Sequence, residues 1–375
     1  MVRNPSHEML SPPSHDELAL QQYVLSLKHH VGRQIQPRKR DIYEQRGKPA
    51  FEKTHGRAPE SWREIGDVML SDPDYQMSIA LNTMAQDLMW ESVADPIYRN
   101  IDTLGESYWR LTKSPDKKGS LELDPDFEVP KGIKEVAIHR QVGTYAYDRG
   151  EGDVTAGALY EGGGNIYSMG IGVGTGYSKG EIIQAFLKDR YPGFEPKRIL
   201  DIGCSAGSSS TPYAMAYPDS EVHAIDVAPG LLRYAHARAE SLNVAVHFHQ
   251  RSADDTKFPD NYFDLVVSHN AMHEMPQRVT EGMFKESYRI LKPGGIAVHQ
   301  DLRLRFNDFP LFEQFDFRWD QLHNNEPYLV TYATNDPDDL FLQAGFPKEN
   351  IWSGLVDQPD GTMKWFVPVA QKPDA

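Results

Sequence analysis

Cysteine is almost absent from this sequence, and Cys204 is the single one among 375 residues. An internal disulfide needs two thiols and a zinc site built from thiolates needs several, so both are excluded. We interpret Cys204 as a small packed side chain rather than a nucleophile. Sparse cysteine is typical of proteins from a reducing compartment.

Long apolar runs are missing as well. No stretch approaches the roughly 18 consecutive apolar residues of a membrane-spanning helix. A secretion signal needs an apolar centre, whereas the N-terminal segment contains Pro12, Pro13, His15 and Asp16. We therefore expect a cytoplasmic protein with no membrane partner.

Basic residues are fewer than acidic residues. Asp and Glu number 54 against 39 Lys and Arg, which gives a formal net charge of -15. A field of this sign repels phosphate backbones, so we expect no nucleic-acid partner. The basic run from Arg38 to Arg40 is interpreted as a solvated surface segment rather than a docking patch.

The first half of the chain is predicted to be mainly helical. Residues 1–13 are expected to form a disordered tail, and residues 14–176 a helical N-terminal domain that acts as a lid or a dimer interface. Ser14 and Glu17 form a capping box at the start of its first helix. The charged, proline-punctuated segment 112–134 and the glycine-rich segments 149–164 and 170–176 predict loops or a hinge.

From residue 177 onward short apolar runs alternate with helical segments, after a second capping box at Ser178 and Glu181. This alternation predicts a parallel sheet with helices on both faces. Two later runs flank a turn of Pro359, Asp360 and Gly361 and predict an antiparallel hairpin. The expected fold is α/β, a Rossmann-like doubly wound sheet with a C-terminal hairpin, preceded by the helical region. The five parallel runs are 198–202, 221–227, 245–249, 263–268 and 295–299.

The loop 201–207, with the sequence Asp-Ile-Gly-Cys-Ser-Ala-Gly, follows the first of these runs and precedes a helix. Open α/β sheets bind ligands at this place, outside the carboxyl ends of their strands. Gly203 permits a sharp turn and Gly207 lets the helix start close to the strand, while the Asp201 carboxylate can face a cationic amino group. A dinucleotide fingerprint is excluded because Ser205 and Ser208 stand where it needs glycine.

This loop resembles the glycine-rich first motif of class I S-adenosylmethionine-dependent methyltransferases. The segments 261–268 and 289–295 resemble the family's lead into the fourth strand and its turn before the fifth. The resemblance covers about residues 181–371 and is to the branch that methylates quinone precursors and other small metabolites. It implies S-adenosyl-L-methionine as cofactor and methyl transfer to an O, N, S or C atom of a small, apolar or aromatic acceptor.

The resemblance also implies a set of cofactor contacts. Asp226 stands where the family has the acid that accepts both ribose hydroxyls. Segment 252–254 resembles the adenine-contacting segment, although the family usually has aspartate where Ser252 stands. Ser205 replaces a common glycine and should be tolerated if its φ is negative. The expected cofactor-binding residues are Asp201, Gly203, Cys204, Ser205, Gly207, Asp226, Val227, Ser252, Ala253, Asp254, Ser268 and His269.

Catalysis by such a domain depends mainly on alignment, because the sulfonium already activates the methyl group. The loop 268–274 faces both cofactor and acceptor in this fold, and His273 is the predicted general base. Glu274 or Asp301 is expected to orient it, and a mere packing role for His273 is the alternative. The histidines show no metal-ligand spacing with carboxylates, so no metal is expected.

An insert at 302–335 is dense in aromatic residues, among them Phe312, Phe315 and Tyr332. It could form an apolar wall for the acceptor, with Arg303 or Arg305 for a carboxylate, or simply pack on the N-terminal helices. The loop after the fourth strand lacks the Asn/Asp-Pro-Pro-aromatic signature of nucleobase or glutamine methylation. Two alternatives stay open: methylation of a protein side chain, and a non-catalytic module that only binds the cofactor.

Overall fold

The computed structural model describes residues 6–167, 179–302, 306–358, 361 and 364–374, without the side chains of Asn165, Trp319 and Asp320. One eight-stranded sheet runs through it in the order β1-β4-β3-β2-β5-β6-β8-β7. Neighbouring strands from β1 to β6 pair in parallel, and β8 is antiparallel to both β6 and β7. The strands are β1 (Ser120–Glu122), β2 (Arg198–Ile202), β3 (Glu221–Asp226), β4 (His247–Gln250), β5 (Phe263–His269), β6 (Leu291–Gln300), β7 (Ile351–Asp357) and β8 (Lys364–Gln371).

Helices cover both faces of this sheet, because alternate side chains of its buried strands enter two separate cores. Ile199 of β2 belongs to one core, while Leu200 belongs to the other. The helices are α1 (His15–His30), α2 (Arg38–Ile42), α3 (Lys48–His55), α4 (Trp62–Met69), α5 (Pro73–Arg99), α6 (Ile101–Thr112), α7 (Lys131–Lys134), α8 (Thr155–Tyr167), α9 (Lys179–Arg190), α10 (Ser210–Ala216), α11 (Pro229–Ser241), α12 (Gln277–Ile290), α13 (Leu311–His323), α14 (Leu329–Thr334) and α15 (Pro337–Ala344).

The doubly wound sheet and its C-terminal hairpin are confirmed. The capping box of α1 is also present: Ser14 N–H donates to Glu17 Oε2 at 2.6 Å, and Glu17 N–H donates to Ser14 Oγ at 3.4 Å. Ser178, Pro359, Asp360 and the segment 170–176 lie outside the described residues, so the second capping box, the hairpin turn and the glycine hinge are not described.

The expected boundary at residue 176 does not separate the sheet from the N-terminal region. Strand β1 comes from the charged segment expected to be a loop, and it pairs with β4 from Ser120 opposite His247 to Glu122 opposite His249. Ser120 Oγ lies 2.9 Å from His247 Nδ1 and Glu122 Oε2 lies 2.8 Å from His249 Nδ1. The strand was missed because its pairing partner lies more than 120 residues further along the chain.

The expectation of a loop over 149–164 was also wrong, since α8 begins at Thr155. Its glycines allow close helix packing instead of breaking the helix. A Cβ at Gly157 would lie 2.2 Å from Tyr234 Cβ, and a Cβ at Gly163 would lie 2.5 Å from Trp90 Cζ3. The missing side chains let α8 lie directly against α11 and α5.

Residues 6–13 of the tail expected to be disordered have a defined structure. Met9 is fully buried in a core that also contains Trp90 of α5 and Tyr234 of α11. The Tyr234 hydroxyl donates to the Met9 carbonyl at 3.0 Å, and His7 Nε2 lies 3.1 Å from Glu161 Oε1. The single apolar side chain of Met9 and these two polar contacts give no periodic pattern that sequence inspection could detect.

The basic run is not wholly solvated either, because Lys39 is buried and pairs with Asp316 of α13. Among the described residues, no helix has the length and apolar character needed to cross a membrane.

Candidate active site

A cavity lies at the carboxyl ends of β2 and β3, where an open sheet binds ligands. The loop after β2 supplies Gly203 and Ser205 to its wall, and β3 supplies Asp226 at its end. The N-terminal region closes the opposite side with Tyr145 and Tyr160. The cavity is therefore built by both halves of the chain.

The loop 201–207 turns sharply at its two glycines. Gly203 has a φ of +71° and Gly207 a φ of +76°. A Cβ at Gly203 would lie 2.8 Å from Ala271 Cβ, so only glycine fits where the loop passes the segment after β5. Ser205 also has a positive φ, +47°, so the condition for tolerating a residue other than glycine here, a negative φ, is not met. A side chain in this region costs about 1–2 kcal/mol.

Asp226 holds this turn from the neighbouring strand. Its Oδ2 accepts the Ser205 N–H at 2.9 Å, and its Oδ1 accepts the Ala228 N–H at 3.0 Å. Burial raises the pKa of the carboxyl group to about 6, although these backbone donors act against the shift. The carboxylate borders the cavity and keeps lone pairs for further donors, as two ribose hydroxyls require.

Asp201 is fully buried and is not among the residues that line the cavity. Its Oδ2 accepts the hydroxyls of Ser209 and Ser210, both at 2.6 Å, so it fixes the start of α10. Its Oδ1 accepts no hydrogen bond from the described residues. Burial raises the pKa of Asp201 to about 6. A buried acceptor without a donor is suited to a cationic ligand group or an ordered water.

The expected adenine segment is divided between the cavity and its surroundings. Ser252 and Ala253 line the cavity together with Val227. Asp254 does not: it accepts the Ser252 hydroxyl and pairs with Arg278 at 3.0 Å. Its carboxylate is thus engaged on the protein rather than in the cavity.

Four other expected contact residues, Cys204, Gly207, Ser268 and His269, are also absent from the cavity wall. Cys204 packs in an apolar core, where burial raises the pKa of its thiol, as expected for a small structural side chain. His269 lies 2.9 Å from Gln300 and 3.2 Å from the Tyr213 hydroxyl, and burial lowers its pKa to about 4. These residues support the wall from behind.

His273 is held by Asp301, the second of its two expected partners. Its Nδ1 lies 2.6 Å from Asp301 Oδ1, and the Met272 N–H donates to Asp301 Oδ2 at 2.9 Å. Burial by itself would lower the pKa of His273, but the carboxylate outweighs it and the net shift is upward. The Nε2 is left facing Glu274, at 3.8 Å from Oε1.

Glu274 lines the cavity and contacts the N-terminal region rather than orienting His273 alone. Its Oε1 lies 2.9 Å from His139 Nε2 and accepts the Tyr145 hydroxyl at 3.2 Å. His139 Nδ1 in turn lies 2.6 Å from the Tyr167 hydroxyl and 3.1 Å from Glu326 Oε1. Burial opposes a charge on His139, but the two carboxylates raise its pKa to about 10.

Sequence reasoning missed His139 and Glu326, and no spacing could have revealed them. His139 lies 134 residues before His273, in a short turn where its own φ is +54°. A positive φ at a non-glycine residue often marks a functional site, but it is visible only in the structure. Ligand atoms of His139, His273 and Glu274 all lie within 4.8 Å of one another, a grouping that the spacing of the histidines along the sequence does not reveal.

The aromatic insert serves two purposes. Phe312 stacks on Tyr43 at 5.1 Å between ring centroids and Phe315 packs on Tyr75 at 5.3 Å, so this part joins the N-terminal helices. Tyr328 instead lines the cavity. The Tyr332 ring lies 6.1 Å from the His273 ring. Arg303 and Arg305 lie outside the described residues.

Known proteins resemble part of this chain. A family model described as a methyltransferase domain matches residues 199–295. Fatty-acid O-methyltransferase of Mycolicibacterium smegmatis is 30% identical over 121 residues, which are 32% of this chain and 42% of that protein. The 2-methyl-6-phytyl-1,4-hydroquinone methyltransferase of Synechocystis is 29% identical over 178 residues, which are 45% of this chain and 50% of that protein.

Among solved structures, phosphoethanolamine N-methyltransferase 2 of Haemonchus contortus in complex with S-adenosyl-L-methionine is 18% identical, with a TM-score of 0.41, over 52% of this chain and 53% of that one. The chain spans half or less of the length of both curated relatives. Residues 199–295 thus match a methyltransferase domain, and the relatives support the resemblance to class I S-adenosylmethionine-dependent methyltransferases.

Proposed function

We propose that this chain binds S-adenosyl-L-methionine in the cavity and transfers its methyl group to a small-molecule acceptor. The observation that carries the proposal is the Asp226 carboxylate at the cavity wall, beside a loop that passes Ala271 too closely for any residue but glycine at position 203. Bound S-adenosyl-L-methionine supplies a methyl group that its sulfonium has already activated. The protein then has to bind, orient and shield the two reactants.

Different residues around the cavity contact different parts of the cofactor. Asp226 accepts the ribose hydroxyls, and Ser252 with Ala253 contacts the adenine. Gly203 and Ser205 let the main chain approach the remainder of the cofactor. The other expected contact residues, Asp201, Cys204, Gly207, Asp254, Ser268 and His269, position these groups from behind the wall.

The proposed acceptor is apolar or aromatic. Tyr145, Tyr160 and Tyr328 line the cavity together with Ile133 and Met275, which is a surface suited to rings or aliphatic chains. The two curated relatives are named for a fatty acid and for a phytyl hydroquinone. On the acceptor side, we propose that His273 and Glu274 act on the nucleophilic atom.

The first test is calorimetric titration of the full chain with S-adenosyl-L-methionine. Asp226→Ala removes both hydroxyl acceptors, so we expect at least a hundredfold loss of affinity, since hydrogen bonds to a charged group are worth about 1.5–3 kcal/mol each. Asp255→Ala is the matched control, because Asp255 lies on a nearby loop with its side chain 59% exposed. Equal binding by the wild type and Asp226→Ala would disprove the assigned ribose contact.

A second measurement distinguishes methylation of a small molecule from methylation of a protein side chain and from cofactor binding without catalysis. Cofactor labelled on its methyl group is incubated with the chain and a metabolite extract or a protein extract. Label in small molecules supports the proposal, label only in proteins supports side-chain methylation, and binding without transfer to either supports a cofactor-binding module.

A homodimer through the N-terminal helices stays a proposal. It is supported by large apolar side chains that α1 and α5 leave exposed, Tyr23 at 61% and Met77 at 59%.

A further inference from the structure

Two imidazoles and one carboxylate converge at the side of the cavity. His139 comes from the N-terminal region, and His273 and Glu274 come from the short turn after β5. Glu274 Oε1 lies between them, 2.9 Å from His139 Nε2 and 3.8 Å from His273 Nε2. Glu274 lines the cavity, whereas His139 and His273 lie behind it, outside the lining residues.

These separations are those of ligands around one metal ion. Nitrogen and oxygen ligands about 2.1 Å from a tetrahedral ion lie roughly 3.4 Å apart, and neighbouring ligands of an octahedral ion lie roughly 3.0 Å apart. The observed 2.9 and 3.8 Å bracket both values. All three ligand atoms lie within 4.8 Å of one another.

Each histidine is also oriented as a metal ligand is. Metal-bound histidines nearly always place their second nitrogen against a carboxylate or a similar acceptor, which fixes the ring. His273 Nδ1 lies 2.6 Å from Asp301, and His139 Nδ1 lies 3.1 Å from Glu326. Both rings therefore direct Nε2 toward Glu274.

The charge of the cluster calls for a cation. Glu274, Asp301 and Glu326 are three carboxylates around two imidazoles, and Asp301 is fully buried. The buried Lys179 acts electrostatically on Asp301 and Glu274 and compensates one charge. Metal binding requires neutral imidazoles, so a divalent ion would replace the proton that the carboxylates hold on His139 in its absence. Buried charges without such compensation are costly.

We propose that His139 Nε2, His273 Nε2 and Glu274 Oε1 bind a divalent transition-metal ion, of the class of Zn²⁺, Fe²⁺ or Co²⁺. Imidazole ligands suit these ions, whereas Mg²⁺ and Ca²⁺ prefer oxygen. Three protein ligands leave an open position toward the cavity, where an oxygen atom of the acceptor binds. This proposal rests on the proposed methyltransferase function and makes the acceptor a hydroxyl, enol or carboxyl compound.

The test uses the full chain after removal of bound metal with a chelator. Co²⁺ is added while its visible absorption is recorded, because these bands intensify when the ion passes from six water ligands to a four- or five-coordinate site, and Zn²⁺ binding is measured by calorimetry. We expect one ion per chain, and His139→Ala and Glu274→Gln should each weaken binding by about a hundredfold or more. His7→Ala is the matched control, since His7 is a buried histidine paired with a single glutamate, 3.1 Å away.

Glu274→Gln keeps the size and shape of the side chain, and its circular dichroism should match the wild type, so lost binding cannot reflect an unfolded variant. Asp301→Asn should weaken Co²⁺ binding by roughly 10 to 100-fold through loss of ring orientation. If the wild type takes up no Co²⁺ or Zn²⁺ at one equivalent, or if His139→Ala binds as tightly as the wild type, the metal site is ruled out.

The proposed function and the proposed metal site can be disproved independently of each other. Asp226→Ala should lose S-adenosyl-L-methionine binding and still bind Co²⁺, while the chelated wild type should still bind S-adenosyl-L-methionine. If the wild type does not bind S-adenosyl-L-methionine, the proposed function is refuted. The Co²⁺ titration still tests the metal site in that case.

Discussion

Among the single residues around the cavity, two aspartates are buried, and burial disfavours the charged form of their carboxyl groups. Asp226 and Asp201 both have a pKa raised to about 6, far above the usual 3.8, because both are taken out of water. Such a carboxylate is half protonated near pH 6. A ligand that needs its ionised form must bind less tightly as the pH falls through this value.

This predicts the pH dependence of cofactor binding. Only the ionised Asp226 accepts two hydroxyl hydrogen bonds, and a pKa of about 6 leaves it ionised at pH 7 and mostly protonated at pH 5. The affinity for S-adenosyl-L-methionine should fall about tenfold between these values, as measured by calorimetry. Asp226→Asn should bind weakly with a flatter profile, and a wild-type affinity that is equal at pH 5 and pH 7 would contradict the assignment.

At the scale of elements, α8 links the N-terminal helices to the site. Gly163 lets it approach α5, and Trp90 of α5 donates its indole N–H to the His139 carbonyl at 2.6 Å. The positive φ of His139 is held in part by this bond. A change in the contact between two helices can thus reach an imidazole beside the cavity.

We predict that Gly163→Ala destabilises the protein. The added Cβ would lie 2.5 Å from the ring of Trp90, which is itself buried, and such overpacking costs about 1–3 kcal/mol. Gly105→Ala is the control in α6, where nothing lies within 4 Å of the new Cβ, and it should stabilise by about 0.5–1 kcal/mol. Urea unfolding measures both, and equal midpoints for the two variants would refute this account of α8.

At the scale of the whole molecule, the two halves share a core. Met9, Trp90 and Leu159 of the N-terminal half pack with Tyr234 and Ala237 of the sheet's helix α11. Strand β1 adds main-chain pairing to β4. Neither half can bury these surfaces by itself, so the protein should unfold as one unit.

Met9→Ala tests this coupling. Removing a fully buried methionine side chain costs about 2–5 kcal/mol. Because the core is shared, tryptophan fluorescence and far-ultraviolet circular dichroism should report one coincident urea transition, shifted to lower urea for both probes. Met84→Ala, at a side chain 44% exposed, should leave it nearly unchanged. Two separate transitions, or a shift in one probe alone, would show that the halves fold independently.

Features that depend on neighbouring residues can be predicted from the amino-acid sequence alone. The strands from β2 to β8, the capping box of α1 and the glycine turn at Gly203 follow from local periodicity and backbone preference, so inspection could find them. The assignment of segments to the family's first, fourth and fifth strands followed from the resemblance, and so did the position of Asp226.

Contacts between residues far apart in the chain could be known only from the folded protein. Met9, β1 and His139 contribute through contacts with partners far along the chain, and nothing in their own neighbourhood marks them. The same holds for α8, whose glycines suggest a loop until Tyr234 and Trp90 fill the space beside them. The physical reason is that such contacts form to bury shared apolar surface and to pair buried charges, and these gains exist only once the whole chain has folded.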